Sequence, residues 1–213
     1  MCKSADMSTL LAMNSLQDSL SGLRSFKQRL NGLGILSEHT WTSFSERLEY
    51  VQYPKSAAIT TAGSTEQWIY FILKGAVRVF VISEGREVVT NFRFDNQFTS
   101  SLTSFLTQSP SQYFLHTMAE TTALRFHYTS LQEMYKNHID LNVLGRVLME
   151  QLLIDKRQRE LDFLTLSADK RYQKLLEEHP EYVQNIPLKY IASFLGVTPE
   201  SLSRIRKSQL TKV

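Results

Sequence analysis

The stretch that most narrows what this 213-residue chain can fold into runs from Ile186 to Lys207. Leu188, Ile191, Ala192 and Leu195 recur at i, i+3, i+4 and i+7, which makes one apolar face of a helix. Pro187 suits a first helical position, where an N–H has no intrahelical use. Gly196 is where such a helix stops, because glycine enters positive φ without a steric cost. Thr198 then offers a side-chain oxygen as N-cap to a second helix, with Pro199 at N1 and Glu200 near the positive helix end. Leu202 and Ile205 pack that helix on the first. Ser201, Arg204 and Lys207 share a different face, three residues apart, with Ser203 beside them.

Two short helices around a tight turn follow from this pattern, with a second helix whose outward face is small and basic rather than mixed in charge. Such a helix can lie in the major groove of DNA with its N-terminal residues toward base edges. The plain alternative is an αα-hairpin with a solvated basic face. Apolar spacing alone does not separate the two; the order Gly-Val-Thr-Pro-Glu-Ser-Leu-Ser-Arg is more specific. On the DNA reading, Ser201, Arg204 and Glu200 are candidates for base-edge contact, arginine being the commonest reader of guanine. Ser203 and Lys207 reach bases or backbone, and Lys189, Thr198 and Arg206 are phosphate candidates. The whole chain has a net charge of only +3, so placement matters more than bulk charge. From Gly196 onward Arg204, Arg206, Lys207 and Lys212 stand against the single acid Glu200, a local patch suited to phosphate.

This run resembles the C-terminal helix-turn-helix of the Crp/Fnr family of bacterial transcription regulators, in particular the branch common in Bacteroidetes-type genomes. The recognition helix of that family carries Arg-Glu-Thr-x-x-Arg. Here the matching residues are Pro199-Glu200-Ser201-Leu202-Ser203-Arg204. Glu200 and Arg204 match and Ser201 replaces a threonine conservatively. Pro199 replaces the first arginine, so the DNA sequence preferred by the best-known members does not carry over.

Upstream, the hydrophobic period is two rather than 3.6. Arg47 to Tyr53 alternates, and Ala57–Thr61, Gln67–Lys74, Val77–Ser83, Glu87–Phe94, Gln112–Met118 and Thr122–His127 follow as short strands punctuated by Gly63, Gly75 and Glu84-Gly85. Many short strands at regular spacing predict a β-sandwich, barrel or jelly roll. Tyr70 to Phe80 is similar to the Leu-x-Gly-x-Val-x-Val heart of a cyclic-nucleotide-binding β-roll, with glycine at the corner and valines pointing inward. With the C-terminal match, the resemblance spans roughly residues 25 to 210 and implies an α+β fold. Its parts are an N-terminal extension (1–22), a double-stranded β-helix or jelly roll of cyclic-nucleotide-binding type (23–138), a long dimerisation helix (139–166) and a helix-turn-helix DNA-binding domain (167–213).

Nucleotide-binding members carry Gly-Glu-Leu and then an Arg-Ser or Arg-Ala pair between two strands of the roll: glycine for close approach, glutamate for the ribose and arginine for the cyclic phosphate. The corresponding residues, 98 to 106 and 110 to 113, contain no glycine, acid or arginine. A cyclic phosphate buried without a cation is costly, so cyclic AMP is not expected here in the usual manner. Thr99, Ser100, Ser101, Gln112 and Tyr113 are the candidate contacts of an unknown polar effector. For the hydroxyl run from Thr99 to Ser104, a capped surface helix is the alternative.

Helices are expected at Phe26–Leu48, from a Thr129 cap to Tyr135, over about Asp140 to Leu166, and from a Ser167 cap to Glu178, closed by His179-Pro180. A weaker amphipathic pattern passes through Met13, Leu16, Leu20 and Leu23. The long helix carries Leu141, Leu144, Leu148, Leu152, Leu161 and Leu164 as a partial seam and spans roughly 40 Å. That length favours a two-helix seam, and a homodimer places two reading helices about one DNA turn apart. The partners implied are double-stranded DNA, a second copy, an unknown small effector and, as a further candidate, RNA polymerase.

Other chemistries find little support. Cys2 is the single cysteine, so neither an intramolecular disulfide nor the four-cysteine cluster of some relatives can form. No pair among the five histidines sits at i, i+3 or i+4, so no metal site is expected, nor haem or any other cofactor. There is no P-loop, no Gly-x-Ser-x-Gly, no dinucleotide fingerprint and no convincing pair of carboxylates, which argues against an enzyme. With no leader-like start and no apolar span, a cytoplasmic protein is expected. The rival reading is a β-roll interaction module whose C-terminal helices only pack.

Overall fold

The structure is a computed structural model that describes residues 20–32 and 36–210. Residues 20–31 form helix α1, followed by α2 (Glu38–Ser45), β1 (Glu49–Tyr53), β2 (Ala58–Thr60), β3 (Trp68–Lys74), β4 (Val77–Ser83) and β5 (Arg86–Arg93). Then come β6 (Phe98–Thr99), α3 (Leu102–Thr107), β7 (Phe114–Thr117), β8 (Thr121–His127), α4 (Tyr128–Asn137) and α5 (Ile139–Thr165). Four helices close the chain: α6 (Ala168–Glu178), α7 (Pro180–Asn185), α8 (Leu188–Leu195) and α9 (Pro199–Leu210). Among the described residues no helix is long and apolar enough to cross a membrane.

The strands form two four-stranded sheets, β1-β8-β3-β6 and β2-β7-β4-β5, the double-sheet roll that the spacing predicts. β8 is the hub of the first, pairing antiparallel with β1 (Glu49 opposite Arg125) and with β3 (Phe71 opposite Leu124). By contacts the chain divides into two compact units, Met1–Arg78 with Arg93–Arg146, and Val79–Phe92 with Val147–Val213.

In the first unit, aromatic rings join α1 and α2 to the sheet. Phe26 lies 4.5 Å from Phe71 and 5.8 Å from Phe98, while Phe44 stacks 4.4 Å from Phe126. Phe26, Leu30, Phe71 and Phe126 are buried, and each such side chain stabilises the fold by roughly 1.5–3 kcal/mol. At the β3–β4 corner Gly75 has φ +121°, and a Cβ there would stand 2.7 Å from the Glu120 carbonyl and 2.8 Å from Thr121 Cα. The glycine therefore serves both a backbone angle and a close approach. Of the two valines expected to point inward, Val77 is fully buried while Val79 is half-buried; Arg78 and Phe80 are buried on either side of it. Both faces of β4 are covered, so alternation does not mark a single inside.

Several boundaries differ from the sequence reading. The continuous helical stretch expected from Phe26 to Leu48 is two helices: a new one starts where Ser37 caps the Thr40 N–H. β6 is only two residues long, too short to show a period. α6 ends at Glu178 with His179 as its C-cap, as expected, but Pro180 also opens a helix that was not expected, α7, at its first position, where proline fits best. Pro187, expected inside α8, is its N-cap. α4 is capped by the His127 ring nitrogen, which accepts from the Thr129 N–H, rather than by Thr129. The helical pattern through Met13 and Leu16 lies outside the described residues.

Asp140, at the start of α5, gathers four donors: the Ser37 N–H (2.9 Å), the hydroxyls of Ser37 (2.8 Å) and Thr40 (2.7 Å), and the Leu141 N–H (3.0 Å). Partial burial is the largest single influence on its carboxyl and pushes the pKa up, but the four bonds together outweigh it and hold the group at about 2, below the ordinary 3.8. A depressed folded-state value contributes stability that is complete above the ordinary value and is withdrawn as pH falls toward the folded one. Asp140→Asn is therefore expected to flatten the acid limb of a stability–pH profile between about pH 4 and pH 2, read by urea melts across pH. Gly75→Ala is expected to lower unfolding stability by roughly 2–4 kcal/mol, combining backbone strain with overpacking, measured by chemical denaturation.

Candidate nucleic-acid interface

α8 forms because four apolar residues line one side. Ile191, Ala192, Phe194 and Leu195 are buried, and Leu188 is half-buried. Gly196 ends it at φ 69° and ψ 35°, the left-handed conformation expected of this residue. Two residues later Thr198 begins α9. Its Oγ1 accepts from the Ser201 N–H (3.2 Å) and its carbonyl from the Leu202 N–H (3.0 Å). Leu202 is fully buried and Ile205 nearly so, which turns the opposite side of α9 outward.

On that side Glu200, Arg204, Arg206 and Lys207 are exposed, and Ser201 and Ser203 are half-buried. Thr198 and Lys189 are exposed as well, with the Lys189 ammonium 4.7 Å from the centre of the Tyr190 ring. All eight residues singled out in the sequence belong to the second unit and to α8, α9 or the turn between them. The hydroxyl of Ser201 accepts from Thr198 Oγ1 (3.1 Å) and stands 3.4 Å from the Arg204 guanidinium, a long and weak contact. The Glu200 carboxyl is held below the usual range by its own backbone N–H at the helix start, then by the Thr198 hydroxyl and the Arg204 charge. The face thus presents hydroxyls, cations and one ionised acid, the groups that hydrogen-bond base edges and phosphates.

Elsewhere in the second unit, Ser193 Oγ of α8 accepts from the Val89 N–H (2.9 Å) and donates to the Glu87 carbonyl (3.1 Å). Phe92 lies 5.4 Å from Tyr182 and 5.3 Å from Phe194. Sequence reasoning did not find Ser193, because its role depends on the β4–β5 hairpin, far off in the chain.

The candidate effector residues sit in the first unit. Thr99 is buried in β6, opposite Tyr70. Ser100 Oγ donates to the Trp68 carbonyl (2.9 Å), and the buried hydroxyls of Ser101 and Ser111 share a 2.7 Å bond. Ser111 Oγ also bonds both the N–H and the carbonyl of Tyr113 at 2.9 Å. Ser101 and the segment from Ser111 to Tyr113 are therefore brought together, and Gln112 is exposed. α3 follows Ser101 without a side-chain cap bond, and its Ser104 and Phe105 are buried.

A concavity in the same unit, of about 240 Å3, is lined by Tyr53, Thr60, Glu66, Trp68, Tyr70 and Arg125 among others. Glu66 is buried; it accepts from the N–H groups of Gln67 (3.1 Å) and Trp68 (3.0 Å) and from the Thr60 hydroxyl. Burial is the main cause of its raised pKa, and burial likewise pushes the Tyr70 phenol up. The Arg125 guanidinium stacks 3.8 Å over the Trp68 ring and bonds Glu49 (2.6 Å). No periodicity in the sequence marks this group, which is assembled by strand pairing. Among the described residues no group of three or more His, Cys, Asp or Glu could hold a metal ion.

Residues 50–138 match the family of the cyclic nucleotide-binding domain. No curated protein sequence matches the chain. Among solved structures, the c-di-GMP responsive global regulator CLP of Xanthomonas campestris superposes with a TM-score of 0.65 at 17% identity, covering 83% of this chain and 93% of its own. A variant of CooA from Carboxydothermus hydrogenoformans gives 0.64 at 15% identity, with 85% and 84% covered. FixK2 from Bradyrhizobium japonicum gives 0.62 at 20% identity, with 78% and 85% covered. At these identities the likeness is one of fold.

Proposed function

We propose, from the match of residues 50–138 to the cyclic nucleotide-binding domain and the likeness of fold to the regulators above, that the chain is a transcription regulator of the Crp/Fnr type that binds a two-fold DNA site as a homodimer. The observation that carries the proposal is the outward face of α9: Arg204, Arg206 and Lys207 exposed, Ser201 and Ser203 half-buried just ahead of them in the chain, and Leu202 and Ile205 holding the helix from behind. Arg204 and Ser201, with Glu200, read base edges. Ser203 and Lys207 reach base or backbone, and Thr198, Lys189 and Arg206 meet phosphate. The role is regulatory rather than catalytic, and the site of action is the cytoplasm, with RNA polymerase a further partner.

Support for the second copy comes from α5. Leu141 and Leu144 are buried, but Met149, Leu153, Ile154, Leu161 and Leu164 are exposed between 40% and 79%. An apolar stripe of this length on a charged helix calls for a partner, and a second α5 offers the same stripe in return. In this reading residues 23–138 sense, 139–166 dimerise and 167–213 bind DNA. Of the residues named for an effector, Ser100, Gln112 and Tyr113 are the ones it meets, Thr99 and Ser101 being buried behind them, and it is polar rather than anionic, because residues 98 to 113 hold no cation. That same lack argues against cyclic AMP in the usual manner.

Two outcomes test the reading. Arg204→Ala is expected to lose ~1–3 kcal/mol of discrimination at one base pair while binding to random duplex changes little; equal loss on both DNAs removes Arg204 from base readout. Replacing Ile154 and Leu161 with glutamate is expected to convert a dimer to a monomer in sedimentation velocity. The same change should weaken binding to a two-fold site by at least about 100-fold, since the second half-site is then no longer held by linkage. A wild-type protein that sediments as a monomer and binds DNA with no salt dependence would leave only an interaction module.

A further inference from the structure

The last four carbonyls of any helix lack intrahelical partners and must find donors elsewhere. In α8 these belong to Ala192, Ser193, Phe194 and Leu195. The turn satisfies two of them: the Gly196 N–H reaches Ser193 O (3.1 Å) and the Val197 N–H reaches Ala192 O (3.0 Å). The other two are satisfied by arginines from other helices. Arg159 of α5 donates to Phe194 O (2.9 Å), and Arg171 of α6 donates to Leu195 O (2.9 Å) and also to Leu166 O (2.7 Å).

Both guanidinium groups are also stacked. Arg159 lies 3.7 Å over the Phe194 ring and 5.0 Å from that of Phe163, and Arg171 lies 4.7 Å from the same Phe163 ring. Phe163 in turn rests on the turn itself, for a Cβ at Gly196 would meet its ring at 3.0 Å. Lys174 and Asp162, paired at 2.6 Å and mostly covered, brace α6 against α5 beside this cluster. All of these residues belong to the second unit. Positive charge at a helix C-terminus is favourable, and a planar fork that also stacks is something arginine provides and lysine does not.

We propose that Arg159 and Arg171 are positioning residues for DNA reading, which clamp the C-terminal end of α8 to α5 and α6 and so aim α9 without touching DNA themselves. The inference rests on the reading of α9 as the recognition helix. α9 starts only three residues after the clamped Gly196, so a tilt of the α8 end passes directly into the direction of the Ser201–Arg204 face. A readout constellation must be held within about half an ångström to act, and it is supported by residues behind it.

The test uses the full chain and a duplex selected by the wild-type protein from a random-sequence pool. Arg159→Met and Arg171→Met keep the apolar stem and remove the fork; Arg159→Lys and Arg171→Lys keep the charge as well. Binding to the selected and to scrambled duplexes is measured across salt concentrations. At least about a 10-fold loss is expected on the selected duplex, with affinity for scrambled duplex and the salt slope unchanged, and lysine is not expected to rescue. A fall in the salt slope by about one, with equal loss on both duplexes, makes the arginines phosphate contacts and overturns the proposal. So does full retention of discrimination in the Met variants, or in the Lys variants should the Met variants fail to fold. A wild-type protein that selects no duplex defeats the DNA reading itself, whereas selection by wild type and variants alike defeats only the clamp.

Discussion

Four carbonyls left without intrahelical partners at the end of α8 set the terms for the whole C-terminal region. A helix cannot stop in a covered place unless its last acceptors are met. Here the chain meets two by folding back through Gly196 and two by drawing in guanidinium groups from α5 and α6. The consequence is a turn between α8 and α9 that is fixed from both sides. α9 can then begin at once, with Thr198 as cap, and spend its inner face on Leu202 and Ile205. The outer face is left with no packing duty, which is why it can be small and charged.

The roll handles its polar groups differently. Around the bend from Phe98 to Tyr113 the polar groups are neutral, and hydroxyls bond to one another and to backbone. Ser101 joins Ser111, Ser111 joins Tyr113, and Ser100 joins Trp68. A well-satisfied neutral network rigidifies without needing a counter-charge. Beside the concavity, ionisable groups take the place of hydroxyls: Glu66 accepts from two backbone N–H groups and Arg125 is laid over Trp68. The bend and the concavity thus offer different chemistry within one domain.

What the sequence disclosed tracks how local each determinant is. Gly196, Thr198 and Pro199 encode a stop, a cap and a start within four residues, and both helices lie where those residues put them. β4 matches its expected bounds because alternation and the flanking Gly75 and Glu84-Gly85 act over a few residues. β6 and α7 were not legible: one is too short for a period, and the other starts on a proline that reads equally well as a stop. Glu66 and Arg125 come to line one concavity only because β3 pairs with β8. Arg159 sits in a run of charges that reads as a solvated helix face. Yet its side chain is drawn onto Phe194, thirty-five residues on, a pairing that no spacing rule reports.

The Asp140 carboxylate has a bearing on how the chain assembles. It serves the starts of two helices at once, receiving the Ser37 N–H and hydroxyl at the head of α2 while sitting in the first turn of α5. The two ends are separated by 103 positions, and every strand of the roll lies between them. Closing so long a loop costs entropy before any contact repays it. The junction therefore closes a loop that holds the whole roll, and its entropic cost is smaller once the strands between have paired and shortened that loop.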